Sequence, residues 1–246
     1  MRAYLVLLAT VAFFVAPYVT PPFMGYDPVL FPVAIARPSI QPAGYAFAIW
    51  GMIYTWLAVS AVYGLTRRAA PAWEPTRLPH LAALILGSGW LALANGYPIT
   101  ATIVIIAMAA CALTAFLAAP AAQDRWWLQA PLGLFAGWLT AASMVSLGVV
   151  VAGYGLLSDT ATALVMLAVI LGVTMAIQSR RPSMPSYSTS VVWAAIGGAV
   201  VNWQANPTVA DAAVTGAVVL ATAALLPCLQ TPRSSSVTAF LTPRSP

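Results

Sequence analysis

Residues 42–56, PAGYAFAIWGMIYTW, open with a proline and a glycine and continue as an apolar run carrying five large rings. No charge follows before Arg67, so a helix here can cross a bilayer core, which takes about 20 residues. Small aliphatic residues would serve that purpose alone. The rings therefore either pack a bundle or line a place where something flat and apolar sits.

The rest of the chain is of the same kind. It is 61% hydrophobic and 6% charged, with a mean hydropathy of +0.89. Soluble domains carry roughly a quarter charged residues, so this sequence cannot build a water-facing surface. It specifies an integral membrane protein. Apolar stretches of spanning length fall at 3–20, 43–65, 80–97, 99–119, 130–153, 160–178, 188–205 and 210–229. Backbone groups in lipid must bond internally, and the short alternating segments of a barrel are missing, so these runs are helices. The expected fold is all-α, a polytopic membrane helical bundle of about eight transmembrane helices.

The arginines set the expected topology. With the N-terminus inside, Arg2, Arg67, Arg68, Arg77, Arg125, Arg180, Arg181, Arg233 and Arg244 fall on the cytoplasmic side and Arg37 outside. That is the positive-inside pattern, and it favours an even number of spans with both termini cytoplasmic. The weakest division is between the third and fourth spans, where only Asn95-Gly96-Tyr97-Pro98 intervenes. The net charge of +5 thus reflects insertion in the lipid bilayer, and nothing supports nucleic acid binding. The first span is expected to remain as an anchor, because residues 17–22, PYVTPP, lack a small-x-small cleavage site.

Function classes can be narrowed by what the spans lack. Apart from His80 and Asp211 at span ends, they hold no Asp, Glu, Lys, Arg or His, which argues against proton relays and ion-coupled pumps. No nucleotide loop, paired carboxylates or nucleophile–histidine arrangement is visible, so no enzyme is expected. Cys111 and Cys228 lie in apolar runs and read as small hydrophobes, with no metal-ligand spacing. His80 stands alone and reads as an interfacial residue. Trp73, Trp126 and Trp127 read as headgroup anchors. The tail 231–246 is rich in Ser, Thr, Pro and Arg and is expected to be disordered.

What remains is aromatic and weakly polar. At 100° per residue, Phe47, Trp50 and Tyr54 fall within about a 60° stripe, while Trp56 and Tyr63 lie opposite. The stripe begins beneath the proline-rich loop 17–41, whose length suits a lid or a plain connector. In the fifth span, Gly133, Gly137 and Ala141 form a small-residue row that admits a neighbouring helix. Trp138, Thr140, Ser143 and Ser146 add polarity there. Gly87, Gly89 and Trp90 in the third span, and Trp193, Gly197 and Gly198 in the seventh, repeat the style.

The stretches PAGYAFAIWGMIY (42–54) and APLGLFAGWLTAAS (130–143) resemble the TspO/translocator-protein family, in particular its longer bacterial, tryptophan-rich members. The family's aromatic spacing is matched by Phe47, Trp50 and Tyr54, its fifth-helix run by Pro131, Trp138 and Ala141, and its third-helix tryptophan by Trp90. Gly87 and Ser146 stand where shorter members have asparagine. The resemblance covers residues 1–155, a five-helix unit. Three additional transmembrane helices (156–230) and the tail (231–246) complete the expected domains.

The resemblance implies a cavity among the first five helices, covered by the first loop, in the bacterial inner membrane. It implies a porphyrin, haem or similar flat apolar molecule as ligand; the residues by themselves call for no cofactor. Phe47, Trp50, Tyr54, Trp90, Trp138 and Ser146 are the expected ligand-binding residues of a sensor or regulator. A transporter for an apolar solute and a structural subunit of a membrane complex are the alternatives. Glycine-rich faces allow a homodimer.

Overall fold

The computed structural model describes residues 1–120 and 123–230, with side chains as far as Leu226. The expectations for Cys228, Arg233, Arg244 and the tail lie outside that description. Eight long helices are present: α1 (Arg2–Val19), α2 (Ile49–Thr66), α3 (Glu74–Ala94), α4 (Pro98–Ala118), α5 (Ala130–Gly153), α6 (Asp159–Arg180), α7 (Ser186–Asn202) and α8 (Pro207–Gln230). Seven are long and apolar enough to cross a membrane; α7, at 17 residues, stands at the short end of the spanning range. The protein is an all-α polytopic bundle.

Short connections make consecutive helices antiparallel. The loop 20–43 and the turns 95–97, 154–158 and 203–206 gather at one end, which we call the lid end. The described arginines other than Arg37 gather at the opposite, basic end.

The chain meets α2 through a single 3-10 turn, Gly44–Ala48, after Pro42. Helix α3 starts six residues earlier than its apolar run, because Pro75 in the first turn presets φ and Glu74 suits the helix N-terminus. Two assignments are corrected as a result. Trp73 is 5% exposed, not a headgroup anchor: its indole N–H donates to Asp124 Oδ2 at 2.8 Å. His80 is not interfacial either, being buried edge-on to Phe135. Glu74 and Arg77, placed in a loop by hydropathy, lie on α3. Buried Arg77 donates to the carbonyls of Arg67 (2.8 Å) and Arg68 (3.0 Å) and to Glu74, so its charge is not left unpaired. Trp126 and Trp127 are exposed, as belt residues should be.

Asp124 gathers the basic end. Burial pushes its carboxyl up, but hydrogen bonds from Trp73 and Tyr63 and the Arg67 guanidinium outweigh that and hold it below the ordinary carboxylate value.

Helix α5 is the axis. Of its 24 residues 18 are buried, because α2, α4, α6 and α7 surround it. Helix α1 packs on α2 and α3, and α8 on α6 and α7. The small-residue row of α5 is what α7 uses. A β-carbon at Gly137 would run into the Tyr187 carbonyl, and one at Gly133 into the Ser186 hydroxyl. At Gly216 in α8 nothing lies within 4 Å. Gly137→Ala should therefore destabilise by roughly 1–3 kcal/mol through forced separation of α5 and α7. Gly216→Ala should be neutral or stabilising by up to about 1 kcal/mol from helix propensity. Unfolding midpoints in detergent measure both.

Candidate functional site

The rings of residues 42–54 do converge. Trp50 and Phe47 face α5, edge-on to Trp138 at centroid distances of 6.1 and 6.0 Å, and Tyr54 packs edge-on to Phe13 and Phe14 of α1. Trp50 stacks on Tyr54 at 5.3 Å. Trp56 and Tyr63 point away, toward the segment before α5, where Trp56 donates to the Trp126 carbonyl at 2.9 Å. Phe47, Trp50, Tyr54, Trp90, Trp138 and Ser146 all line one cavity of about 290 Å³, and the proline-rich loop forms its outer wall.

Each residue is positioned from its own element. Trp90 on α3 is fixed by its indole N–H, which donates to the Ala101 carbonyl of α4 at 2.9 Å. Trp138 is 2% exposed, yet its indole N–H has no hydrogen-bond partner. Thr140 and Ser143 donate back to carbonyls of their own helix at 2.9 and 3.0 Å, and Thr140 also meets the Tyr187 hydroxyl. Among the polar groups of α5, Ser146 alone turns toward the loop.

Four cavity residues were not singled out from sequence. Phe13 of α1 sits edge-on to Tyr54 at 5.0 Å and fills the space beside Gly87, where a β-carbon would come within 2.5 Å of its ring. Met108 closes on the same point. Phe23 covers Trp90 at 5.0 Å. Tyr26 reaches down from the loop, and its hydroxyl hydrogen-bonds Ser146 and lies 3.4 Å from Thr102, which is 3.2 Å from Ser146. Burial raises the Tyr26 phenol above its ordinary value and these bonds only partly offset that, so it stays a neutral hydroxyl. The loop begins at Thr20 rather than at Pro17, which is inside α1.

The cavity wall is thus rings and aliphatics. Its polar side chains are the Tyr26, Tyr54 and Ser146 hydroxyls, the Gln41 amide and the indole N–H groups of its tryptophans; no Asp, Glu, Lys, Arg or His lines it.

The family model for TSPO-like proteins matches residues 34–226, more than three quarters of the chain. The chain belongs to that family. No curated protein and no solved structure matches it. The match runs from the loop through α2 to most of α8 and leaves α1 outside, so it takes in the three further helices of this TSPO-like protein.

The two cavity tryptophans should respond differently to loss of the N–H. Trp90→Phe removes a second hydrogen bond from the Ala101 carbonyl, which keeps its place in the α4 ladder, and should cost roughly 0.5–1.5 kcal/mol. Trp138→Phe removes a donor that is already unpaired, so its thermal midpoint should fall less than that of Trp90→Phe in the same detergent.

Proposed function

We propose that this membrane protein binds a flat, apolar small molecule of tetrapyrrole type in the lidded cavity, and acts as a sensor or regulator rather than an enzyme. The observation that carries the proposal is the convergence of Phe47, Trp50, Tyr54, Trp90 and Trp138 on one apolar cavity. Ligand sites are mostly apolar with a few polar groups for orientation, and this lining has that composition. Its hydroxyls, amide and indole N–H groups suit orientation rather than proton transfer at neutral pH. The family membership supports the same reading. The volume, about 290 Å³, is at the small end for ligand sites, so a macrocycle enters only as the loop lifts.

Two features define the ligand's chemistry. The Trp138 N–H is unpaired but buried, so a carbonyl, ester or ring-nitrogen acceptor takes it only once the wall around it shifts. No cation lines the cavity, so an ionised carboxylate inside it would be unpaired and costly. We infer that any acidic substituent points to the mouth, between the loop and α1. The arginine pattern favours the lid end outside and the basic end in the cytoplasm, and the family resemblance favours a bacterial inner membrane. Glycines facing outward, such as Gly51 and Gly172, leave room for a homodimer.

Titration of the purified protein with protoporphyrin and with its dimethyl ester, followed by tryptophan quenching, tests the proposal. The ester should bind at least as tightly as the acid. Trp50→Leu and Trp138→Leu should each raise Kd roughly three- to tenfold through lost ring contact. Unchanged Kd in both variants would remove the assigned site.

A further inference from the structure

The proline-rich loop is held in two different ways along its length. Residues 31–46 are tied to α5, α6, α7 and the turn 203–206 before α8 by a set of hydrogen bonds. The Val33 N–H donates to the Gly153 carbonyl at 2.9 Å, and the Ala43 N–H to the Gly197 carbonyl at 3.1 Å. Ser39 is bound on every side. Its N–H donates to Asp159 Oδ1 at 3.0 Å and its hydroxyl to the same carboxylate; its carbonyl accepts from Asn202 Nδ2 at 2.8 Å. Asn206 Nδ2 donates to the Ser39 hydroxyl at 3.2 Å and to Thr160 at 2.8 Å. Trp193 Nε1 donates to the Ala46 carbonyl at 2.8 Å. The contact is close as well as bonded: a β-carbon at Gly197 would lie 2.9 Å from that of Ala46.

Residues 20–30 have no such frame. Among the described residues, the N–H groups of Phe23, Met24, Gly25, Tyr26 and Asp27 have no hydrogen-bond partner. The segment is held by the Tyr26 hydroxyl on Ser146 and Thr102, the Phe23 ring on Trp90, and two side-chain amides. Those are Asn95 to the Pro21 carbonyl (3.2 Å) and Gln41 to the Met24 carbonyl (3.1 Å). Met24 and Val29 are 71% and 82% exposed, so little apolar packing restrains the tip. Gly25, with φ +121°, supplies a pivot that other residues rarely adopt.

We propose that the three helices after the five-helix unit clamp residues 31–46 as a fixed frame, and that residues 20–30 are the moving gate of the cavity, with Tyr26 as its latch. Opening breaks the Tyr26 bonds to Ser146 and Thr102. Tyr26 is therefore also a specificity residue. A molecule whose own carbonyl or hydroxyl takes over Ser146 and Thr102 offsets the broken bonds, whereas a pure hydrocarbon leaves these two hydroxyls only each other and does not replace the bonds to Tyr26. The gate and clamp are properties of the empty protein and stand whichever small molecule fills the cavity.

The test needs no ligand. A single cysteine is placed in the cavity wall (Ala142→Cys, with Cys111→Ser and Cys228→Ser) in the full chain in lipid nanodiscs. Its rate of modification by a water-soluble maleimide reports gate opening. Hydrogen exchange of the Val33, Ser39 and Ala43 amides reports the clamp. Tyr26→Phe should speed modification about three- to tenfold, the worth of one hydrogen bond, while those three amides keep their protection. Asp159→Ala should lower protection at Ser39. Unchanged modification in Tyr26→Phe, or loss of protection at Val33, Ser39 and Ala43 in that variant, would overturn the proposal.

Discussion

The absence of a side chain at Gly137 is the constraint on which the rest of the molecule depends. Lipid provides no hydrophobic drive between helices, so close packing and interhelical hydrogen bonds must hold the bundle. At Gly137 the backbone of α7 closes directly on α5, with the Tyr187 carbonyl in the space a β-carbon would need. That approach brings the Tyr187 ring onto Phe116, parallel at 5.6 Å, and its hydroxyl to Thr140 at 2.9 Å. Helix α7, so fixed, presents Gly197 and Asn202 to the loop. The position of the lid thus follows from a missing methyl group in the middle of the bundle.

The same packing decides which polar groups of α5 are free. A hydroxyl in lipid bonds to its own helix or across to another, and Thr140 and Ser143 do so. Ser146 is engaged by Tyr26. Only the Trp138 indole N–H remains without a partner, at a cost of roughly 1–3 kcal/mol for a buried donor. That donor is an uncompensated group in a residue that lines the cavity. Trp90, on the opposite wall, keeps its bond and acts as a fixed surface.

Features that follow from local periodicity were legible in the sequence. The Trp50–Tyr54 face and the small-residue row of α5 depend on spacing within one helix and the number of helices on the apolar runs, and the structure shows them so; Phe47 joins that face from the 3-10 turn before α2. Features that depend on a partner far along the chain were not legible. Tyr26 meets Ser146 across 120 positions, and Ser39 meets Asn206 across 167. Neither residue has a periodic pattern to announce it. Trp73 and His80 were misplaced for a related reason. Hydropathy places polar residues at the headgroups, but Asp124 supplies a buried acceptor for Trp73, and α3 begins early enough to carry His80 inward. Gly87 stood out only as a small residue, and nothing in its own helix announced that the Phe13 ring of α1 occupies the space beside it.

Whether the aromatic face meets a ligand or only α5 can be weighed with rough magnitudes. An empty cavity of about 290 Å³ would cost at most about 7 kcal/mol at the value found for enclosed core cavities, and less here because it has a mouth. Five ring pairs around it join Phe13, Phe47, Trp50, Tyr54 and Trp138. At about 0.5–1.5 kcal/mol each, they contribute about 5 kcal/mol, close to that cost. Aliphatic side chains would shift rotamers and collapse into the space. Rings with two rotatable bonds, braced edge to face, hold it open at little loss of conformational freedom. The contact of this face with Trp138 and Phe13 therefore braces the cavity against closing, which aliphatic packing would not do.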